Sequence, residues 1–462
     1  MFSSAIYSQR RAGLARGAAQ GLLLFVGHVD APMNYAHNTY PFIQDSSFRY
    51  FFGLDEPGLC ALIDSASGEA TLFGDDPGID DIVWTGALPS LAERAAAVGV
   101  SRSRPASELA AVVREARARG VALHYLPPYR GETVLALAEL LGLAPAAVRA
   151  GASEDLARAV IALREIKGEE EIAEIERALD VTRDMHLEAM RAARPGVVER
   201  EVVGAMEGIM RRRDWQLAYP SIFSRRGEIL HNHGHAQTLQ DGDLVVNDTG
   251  ATADSGYASD ITRTLPVGGR FSARQRALYD IVLAMQESSI AAMKPGVRYR
   301  DIHRQAARLM VERMSALGFF RGEPDAVVDS GAYAIAFPHG LGHQIGLDVH
   351  DMESLGETRV GYEQGDARSS LFGLAYLRMA KPLKPGMVIT VEPGIYFIPA
   401  LIDAWQAEGR HADFIDYAVF QQYRDFGGIR IEDNVLVTAD GSRVLGAPIP
   451  KRADDVEAAM AG

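Results

Sequence analysis

Two decapeptides constrain this chain more than any other feature: "ARPGVVEREV" at 193–202 and "MKPGVRYRDI" at 293–302. Both carry Pro-Gly-Val, an Arg four positions after the Gly, and then an acidic-aliphatic pair, and each follows a helical stretch. A second echo comes after each copy. "DGDLVVNDTG" (241–250) and "KPGMVITVEPG" (384–394) both run Gly, five residues, carboxylate, with strand-forming Val, Ile, Leu and Thr between. Two echoes in matching order predict a duplication. Asp248 and Glu392 then hold equivalent places in two similar α+β halves, with acidic residues facing one another at the centre.

The rest of the chain organises around that repeat. At 462 residues it is long enough for more than one domain. Residues 1–157 mix short apolar runs ("LLLFV", "LCALID", "ATLF", "VALHYL") with helical patterns such as "ETVLALAELLG", which predicts an α/β domain. From there the chain turns long-helical and charged, and 158–462 reads as a second, α+β domain. Ile172, Ile175, Leu179, Thr182, His186 and Ala189 fall on one helical face. The glutamate run 169–171 reads as the solvated start of that helix, where negative charge is favoured. Ser272 and Gln275 spell a capping box for the helix before the second decapeptide.

Composition excludes several classes. The formal net charge is −14 with no basic block, which argues against a nucleic-acid partner. No apolar run has transmembrane length. "SQRRAGLARG" before "GLLLFVG" has the outline of a signal peptide, but no small-residue cleavage site follows, so a cytoplasmic location is expected. The single cysteine, Cys60, excludes an intrachain disulfide and fits a reducing compartment. There is no P-loop, no dinucleotide fingerprint and no GxSxG elbow.

Four segments carry the chemistry: "NDTGATADSGYASDITRT" (247–264), "PHGLGHQIGLDVHD" (338–351), "VITVEPGIYF" (388–397) and "GGIRIEDNVLV" (427–437). Asp248, Asp260, Glu392 and Glu432 all lie in or beside apolar strand patterns, and buried carboxylates are costly unless a cation compensates them. The turn "ADSG" can bring Asp248 and Asp260 onto adjacent strands. Four carboxylates and one imidazole form a hard, oxygen-rich set that suits Mn²⁺ and similar ions better than structural zinc. Two ions bridged by carboxylates balance the charge better than one, and such a pair holds a hydroxide at neutral pH. His343, central among the histidines, is the favoured ligand; His339 and His350 are then supporting or proton-transfer groups. Gly340, Gly342 and Gly346 are expected to let the backbone pass close to the site. In "LHNHGHAQ" one functional histidine, His231, is expected, with His233 and His235 exposed.

At these residues the chain resembles the pita-bread-fold metallopeptidases, in particular the aminopeptidase P and prolidase branch. "GYASDITRT", "PHGLGHQIGLDVHD", "KPGMVITVEPGIYF" and "GGIRIEDNVLVT" match its motifs in order and spacing, and "YPFIQDSSFRYFFGLDEPG" (40–58) resembles its N-terminal domain. The resemblance implies an N-terminal α/β domain before a pita-bread catalytic domain, a homodimer, and hydrolysis of the bond between an N-terminal residue and proline. It makes Asp248, Asp260, His343, Glu392 and Glu432 ligands of two divalent ions, usually manganese, with cobalt or zinc as alternatives; Asp260 and Glu432 would bridge them. It gives Glu392 a further role on the nucleophilic water and places His231 and His350 against substrate and the tetrahedral intermediate. His339 would line the pocket beside Arg430.

Arg378, in "FGLAYLRMAKPLKPGMVITVEPG" (372–394), falls where prolidases hold the carboxylate of an Xaa-Pro dipeptide. That favours a dipeptidase, while "YPFIQDSSFRYFFG" is closer to aminopeptidase P, which acts on longer peptides. A non-catalytic binding module would have lost ligand residues, a methionine aminopeptidase would lack the first domain, and a metal-independent amidinohydrolase would lack the acids. Two departures stand out. One more residue than usual separates Asp248 from Asp260, to be absorbed by an odd loop or bulge. The stretch "YPSIFSRRGEILH" (219–231) is short and lacks the customary glycine-rich loop, which puts His231's place in doubt.

Overall fold

The computed structural model describes residues 2–461 and divides into two compact units. The first runs to Arg164 and also takes in Met352–Val360; the second comprises Glu165–Asp351 and the chain from Gly361 onward.

The first unit is built on a mixed sheet of β1 (Leu22–Val26), β2 (Cys60–Asp64), β3 (Ala70–Gly74), β4 (Arg102–Pro105) and β5 (Leu123–Tyr125), in the order β4-β3-β2-β1-β5. β1 runs antiparallel to β2 and parallel to β5. Side chains alternate along a strand, so β1 feeds two cores. Leu24 packs with Val113 and Leu137 from the helices Leu109–Ala118 and Gly131–Leu141. Phe25 faces the other way, its ring 5.1 Å from that of Phe51. This is the α/β layering expected of the N-terminal region. Burial pushes the Cys60 thiol up to about 11, so it is inert as a nucleophile at neutral pH.

The second unit repeats one plan twice. The helices Glu169–Ala192 and Glu199–Arg211 precede β6 (Gln216–Leu217), β7 (Ile222–Ser224), β8 (Leu244–Thr249), β9 (Ala251–Thr252) and β10 (Ile261–Pro266). The helices Ala273–Ala292 and Tyr299–Ala316 precede β11 (Val388–Val391), β12 (Gly394–Tyr396), β13 (Gly428–Arg430), β14 (Asp433–Val437) and β15 (Ser442–Val444). Sheets form in the orders β10-β8-β7 and β11-β14-β15, with smaller pairs β12-β13 and β6-β9.

The duplication extends to individual hydrogen bonds. Gly196 N–H donates to Leu239 O at 2.8 Å and Leu239 N–H to Val197 O at 2.8 Å; Gly296 N–H donates to Leu383 O and Leu383 N–H to Val297 O, both at 2.9 Å. Both glycines sit at positive φ, +90° and +83°, which a side chain would resist. The sequence step from Leu239 to Leu383 equals that from Asp248 to Glu392, so the two acids are equivalent in the folded chain as in the repeat. The halves meet along β10: Glu432 N–H donates to Thr262 O at 3.0 Å, and Thr264 Oγ1 to Arg430 O at 3.0 Å.

One reading of the glutamate run changes. Glu171 is buried, not solvated: its carboxylate accepts from Gly168 N–H at 2.9 Å and from the Tyr257 hydroxyl at 2.6 Å. A helix-capping acid here doubles as an anchor for the hairpin that carries Asp260. Ser272 and Gln275 form the capping box as read.

Candidate active site

Asp248 pairs across the β8–β10 ladder with Thr262, and Asp260 lies two residues before Thr262, so both aspartates project from one face as diagonal neighbours. The register is unchanged from Asp248↔Thr262 to the bridge Thr252↔Ala258. The residue in excess therefore sits in the hairpin tip, Asp254–Gly256, and no bulge disturbs the ladder; Gly256 supplies a φ of +91° there. The Asn434 side chain grips the Asp260 backbone from the other half, donating to its carbonyl at 2.6 Å and accepting from its N–H at 3.1 Å.

His343 arrives on a segment that runs antiparallel to β11 without being a regular strand. Ile345 N–H donates to Val388 O, Thr390 N–H to His343 O and Glu392 N–H to Leu341 O, at 2.8 to 3.1 Å. Gly342 makes this approach possible, since a Cβ there would stand 2.0 Å from Thr390 O. Gly346 clears the Asp351 carboxylate in the same way. Gly342 thus serves both ends, the close pairing with β11 and, with Gly340, the cavity wall, whereas Gly346 serves packing alone. His343 Nδ1 lies 3.0 Å from the Gln344 carbonyl, which can only accept. Nε2 is therefore left as the lone-pair nitrogen, and it faces Asp260 Oδ2 at 3.3 Å and Glu392 Oε1 at 3.5 Å.

Asp260, His343 and Glu432 each offer a ligand atom within 4.8 Å of the others. Thr262 Oγ1 donates to Glu432 Oε2 at 2.6 Å, while Glu432 Oε1 is buried with no hydrogen-bond partner. Arg430 Nη2 meets Asp248 Oδ2 at 2.5 Å, and the Tyr219 hydroxyl donates to Asp248 Oδ1 at 2.6 Å and also contacts Asp260. Each carboxylate oxygen has two acceptor sites, so these partners leave room for a cation. Burial first, and then their mutual repulsion, hold Asp260, Glu392 and Glu432 well above the usual carboxylate range. An orphaned buried carboxylate oxygen, facing acids and one oriented imidazole form a donor set that fits divalent cations.

The same shifts predict how the metal-free protein responds to pH. Carboxyls with raised folded pKa values bind protons more tightly folded than unfolded, so stability falls as pH climbs through that range. Burial lowers His186, His303 and His339 to about 3, which gives the opposite slope, but only below the unfolded histidine value. Above the unfolded histidine range only the carboxyls contribute a slope, and its sign is downward. The Tm of chelator-treated protein should therefore fall as pH rises above that range, and saturating Mn²⁺ should flatten the decline. A Tm that rises with pH in the absence of metal would contradict the assignment.

All ten residues singled out from the sequence line one cavity of about 550 Å³: Asp248, Asp260, Glu392, Glu432, His343, His231, His339, His350, Arg378 and Arg430. The His350 ring lies 4.0 Å from that of His343. His339 is placed differently from a simple substrate donor. Its Nδ1 points to Gly340 O at 2.7 Å and its Nε2 to the Tyr396 hydroxyl at 2.9 Å; Arg430 Nη1 donates to that hydroxyl at 2.8 Å. Both ring nitrogens are spent inside the protein, so His339 supports Arg430 and offers the cavity a ring face.

His231 and His233 both stand exposed on the cavity wall, while His235 turns to Ser221 O at 3.1 Å. The structure thus adds His233, Tyr219 and Tyr396 to the residues read from sequence. The spacing of two between His231 and His233 was a usable signal; nothing in "YPSIF" marked the tyrosine. Pro220, Ile222, Leu230, Val349, Phe372 and Ile398 supply apolar walls.

The sequence profile of metallopeptidase family M24 matches residues 173–439, more than half of the chain, and that of the aminopeptidase P N-terminal domain matches 7–123. The chain belongs to metallopeptidase family M24. Two names recur among its relatives. A human Xaa-Pro dipeptidase is 33% identical over 91% of this chain and 85% of its own length. An Escherichia coli Xaa-Pro aminopeptidase is 30% identical over 98% of this chain and 97% of its own. Among solved structures, E. coli aminopeptidase P with the inhibitor Pro-Leu superposes with a TM-score of 0.81 at 29% identity, covering 100% of this chain and 98% of that one. Proline aminopeptidase P II from Yersinia pestis gives 0.82 at 30% identity, with 100% of each chain covered. The M24 assignment makes the chain a hydrolase that uses divalent metal ions, with the aminopeptidase P type of architecture. Among the described residues no helix is long and apolar enough to cross a membrane.

Proposed function

We propose that this chain hydrolyses the bond between an N-terminal residue and a following proline, and that it acts on Xaa-Pro dipeptides. Relatives of both names support the bond specificity; the observation that carries the dipeptide preference is Arg378. It lines the cavity that holds the acids, close enough to Glu392 to favour that group's charged form. A guanidinium there suits the free carboxylate that follows proline in a dipeptide.

In this reading Asp248, Asp260, His343, Glu392 and Glu432 hold two divalent cations, Mn²⁺ in the first place and Co²⁺ or Zn²⁺ as alternatives. When bound, these cations polarise the scissile carbonyl and lower the pKa of water. Glu392 takes the proton of the attacking water and returns it to the imide nitrogen, which has no hydrogen of its own and must be protonated to leave. His350 and His231 donate toward the oxygen that gains charge. Arg430, braced by Tyr396 and His339, fixes Asp248. The same reading takes 1–157 as the N-terminal domain and 158–462 as the catalytic domain, seven residues short of where the two compact units part after Arg164, and expects a cytoplasmic homodimer.

The test is an assay of the chelated and Mn²⁺-reloaded protein on Xaa-Pro and on longer Xaa-Pro-Yaa peptides. Activity should vanish with chelation and return with metal. Arg378→Ala should raise KM for Xaa-Pro by roughly ten- to hundredfold, the effect of losing a charge-assisted contact of about 1.5–3 kcal/mol, and leave tripeptides nearly unaffected. The aminopeptidase reading is favoured instead by the full-length match to aminopeptidase P structures. Efficient cleavage of long peptides, with Arg378→Ala indifferent on dipeptides, would decide for it.

A further inference from the structure

The second unit begins with "EIK", residues 165–167, a segment outside the cavity. Its two charged side chains are both almost fully buried, and each grips a segment that carries cavity residues. Lys167 Nζ donates to Asp351 Oδ2 at 2.9 Å, with both side chains 1% exposed. Asp351 directly follows His350. Its backbone N–H donates to Gln344 O at 2.9 Å, the same carbonyl that orients His343 Nδ1. Glu165, 6% exposed, takes Lys381 on one oxygen and Lys384 on the other, the latter at 2.6 Å. Those lysines follow Arg378 on the strand-like approach to β11, where Ala380 and Lys381 N–H also donate to Gly361 O. Lys167 N–H closes the arrangement by donating to Gly386 O at 2.8 Å.

We propose that Glu165 and Lys167 form a two-armed positioning latch: Lys167 sets His350 and His343 through Asp351, and Glu165 sets Arg378 through Lys381. A buried ion pair adds little net stability over an apolar pair of the same volume, so its use here lies in geometry. The latch rests on the roles assigned above to His350 and Arg378, and it separates them. One arm serves the transition state and one metal ligand; the other serves substrate affinity.

The experiment uses full-length protein and measures thermal melts, Mn²⁺ titration of the chelator-treated form, and Xaa-Pro kinetics well below Tm. Lys167→Met should lower kcat by about ten- to hundredfold, the usual scale for a residue that orients a metal ligand, and weaken Mn²⁺ binding, with little change in KM. Glu165→Gln should raise KM for Xaa-Pro severalfold, with kcat and Mn²⁺ affinity nearly unchanged. The double variant Lys167→Met/Asp351→Asn, which leaves no lone buried charge, should recover most of the Tm but not kcat. Recovery of kcat together with Tm, or the same kinetic change from both arms, would overturn the latch. Wild type inactive on Xaa-Pro would instead sink the substrate reading, and the Mn²⁺ titrations would still decide the Lys167 arm.

Discussion

Asp260→Ala and Glu432→Ala should each remove tight divalent-cation binding and lower Xaa-Pro hydrolysis by more than ~10³-fold, beyond the loss of a single oxyanion donor. Both acids sit where the two halves meet, each within reach of His343. Either deletion leaves a cation without a ligand from one side. The fold should survive, because these carboxylates are held against their preference. Desolvation and the neighbouring acids penalise their charge, so the metal-free variants should melt no lower than metal-free wild type at pH 7. Thermal melts and metal titration check both halves of the expectation. Retained Mn²⁺ affinity in either variant would remove that residue from the ligand set.

The second large effect separates two histidines whose rings are neighbours. His343→Ala should lose Mn²⁺ affinity, since its Nε2 is the imidazole nitrogen aimed at Asp260 and Glu392. His350→Ala should keep metal and KM while kcat falls about 10²–10³-fold, the loss expected for a donor used mainly in the transition state. Metal content and steady-state kinetics on the same samples give the answer. Loss of metal from the His350 variant, with metal retained in the His343 variant, would exchange their roles.

Much of this arrangement is legible in the amino-acid sequence. The repeat located the equivalent acids, because duplicated strands keep their spacing when surface residues drift. Carboxylates inside apolar patterns stood out because burial makes them expensive. What could not be read was direction. Glu171 looked like solvated helix start, and only the packing of the hairpin brings Tyr257 onto it. Tyr219 sits between two aspartates through a pairing of strands far apart in sequence. The glycines of 338–351 predicted close approach to the site, and Gly340 and Gly342 do line it, but the contacts with Thr390 and Asp351 were not legible, since a missing Cβ does not say which neighbour comes near. Arg378's orientation depended on the fold of a loop with no period to reveal it.

The twofold plan of the second unit has a consequence for peptides. Asp248 and Asp260 come from one half and Glu392 and Glu432 from the other, so carboxylates face the cavity from both sides and do not by themselves mark a direction. A peptide is directional: an amino group leads and a carboxylate trails. The chain between the second helix and the strand that leads to the first acid differs between the halves, 212–243 with the short strands β6 and β7 in one and 317–387 in the other. The first brings Tyr219, His231 and His233; the second brings His339, His343, His350 and Arg378. Polarity therefore enters through the unequal connections, and changing which end of a substrate is read means redesigning a loop while leaving the acids alone.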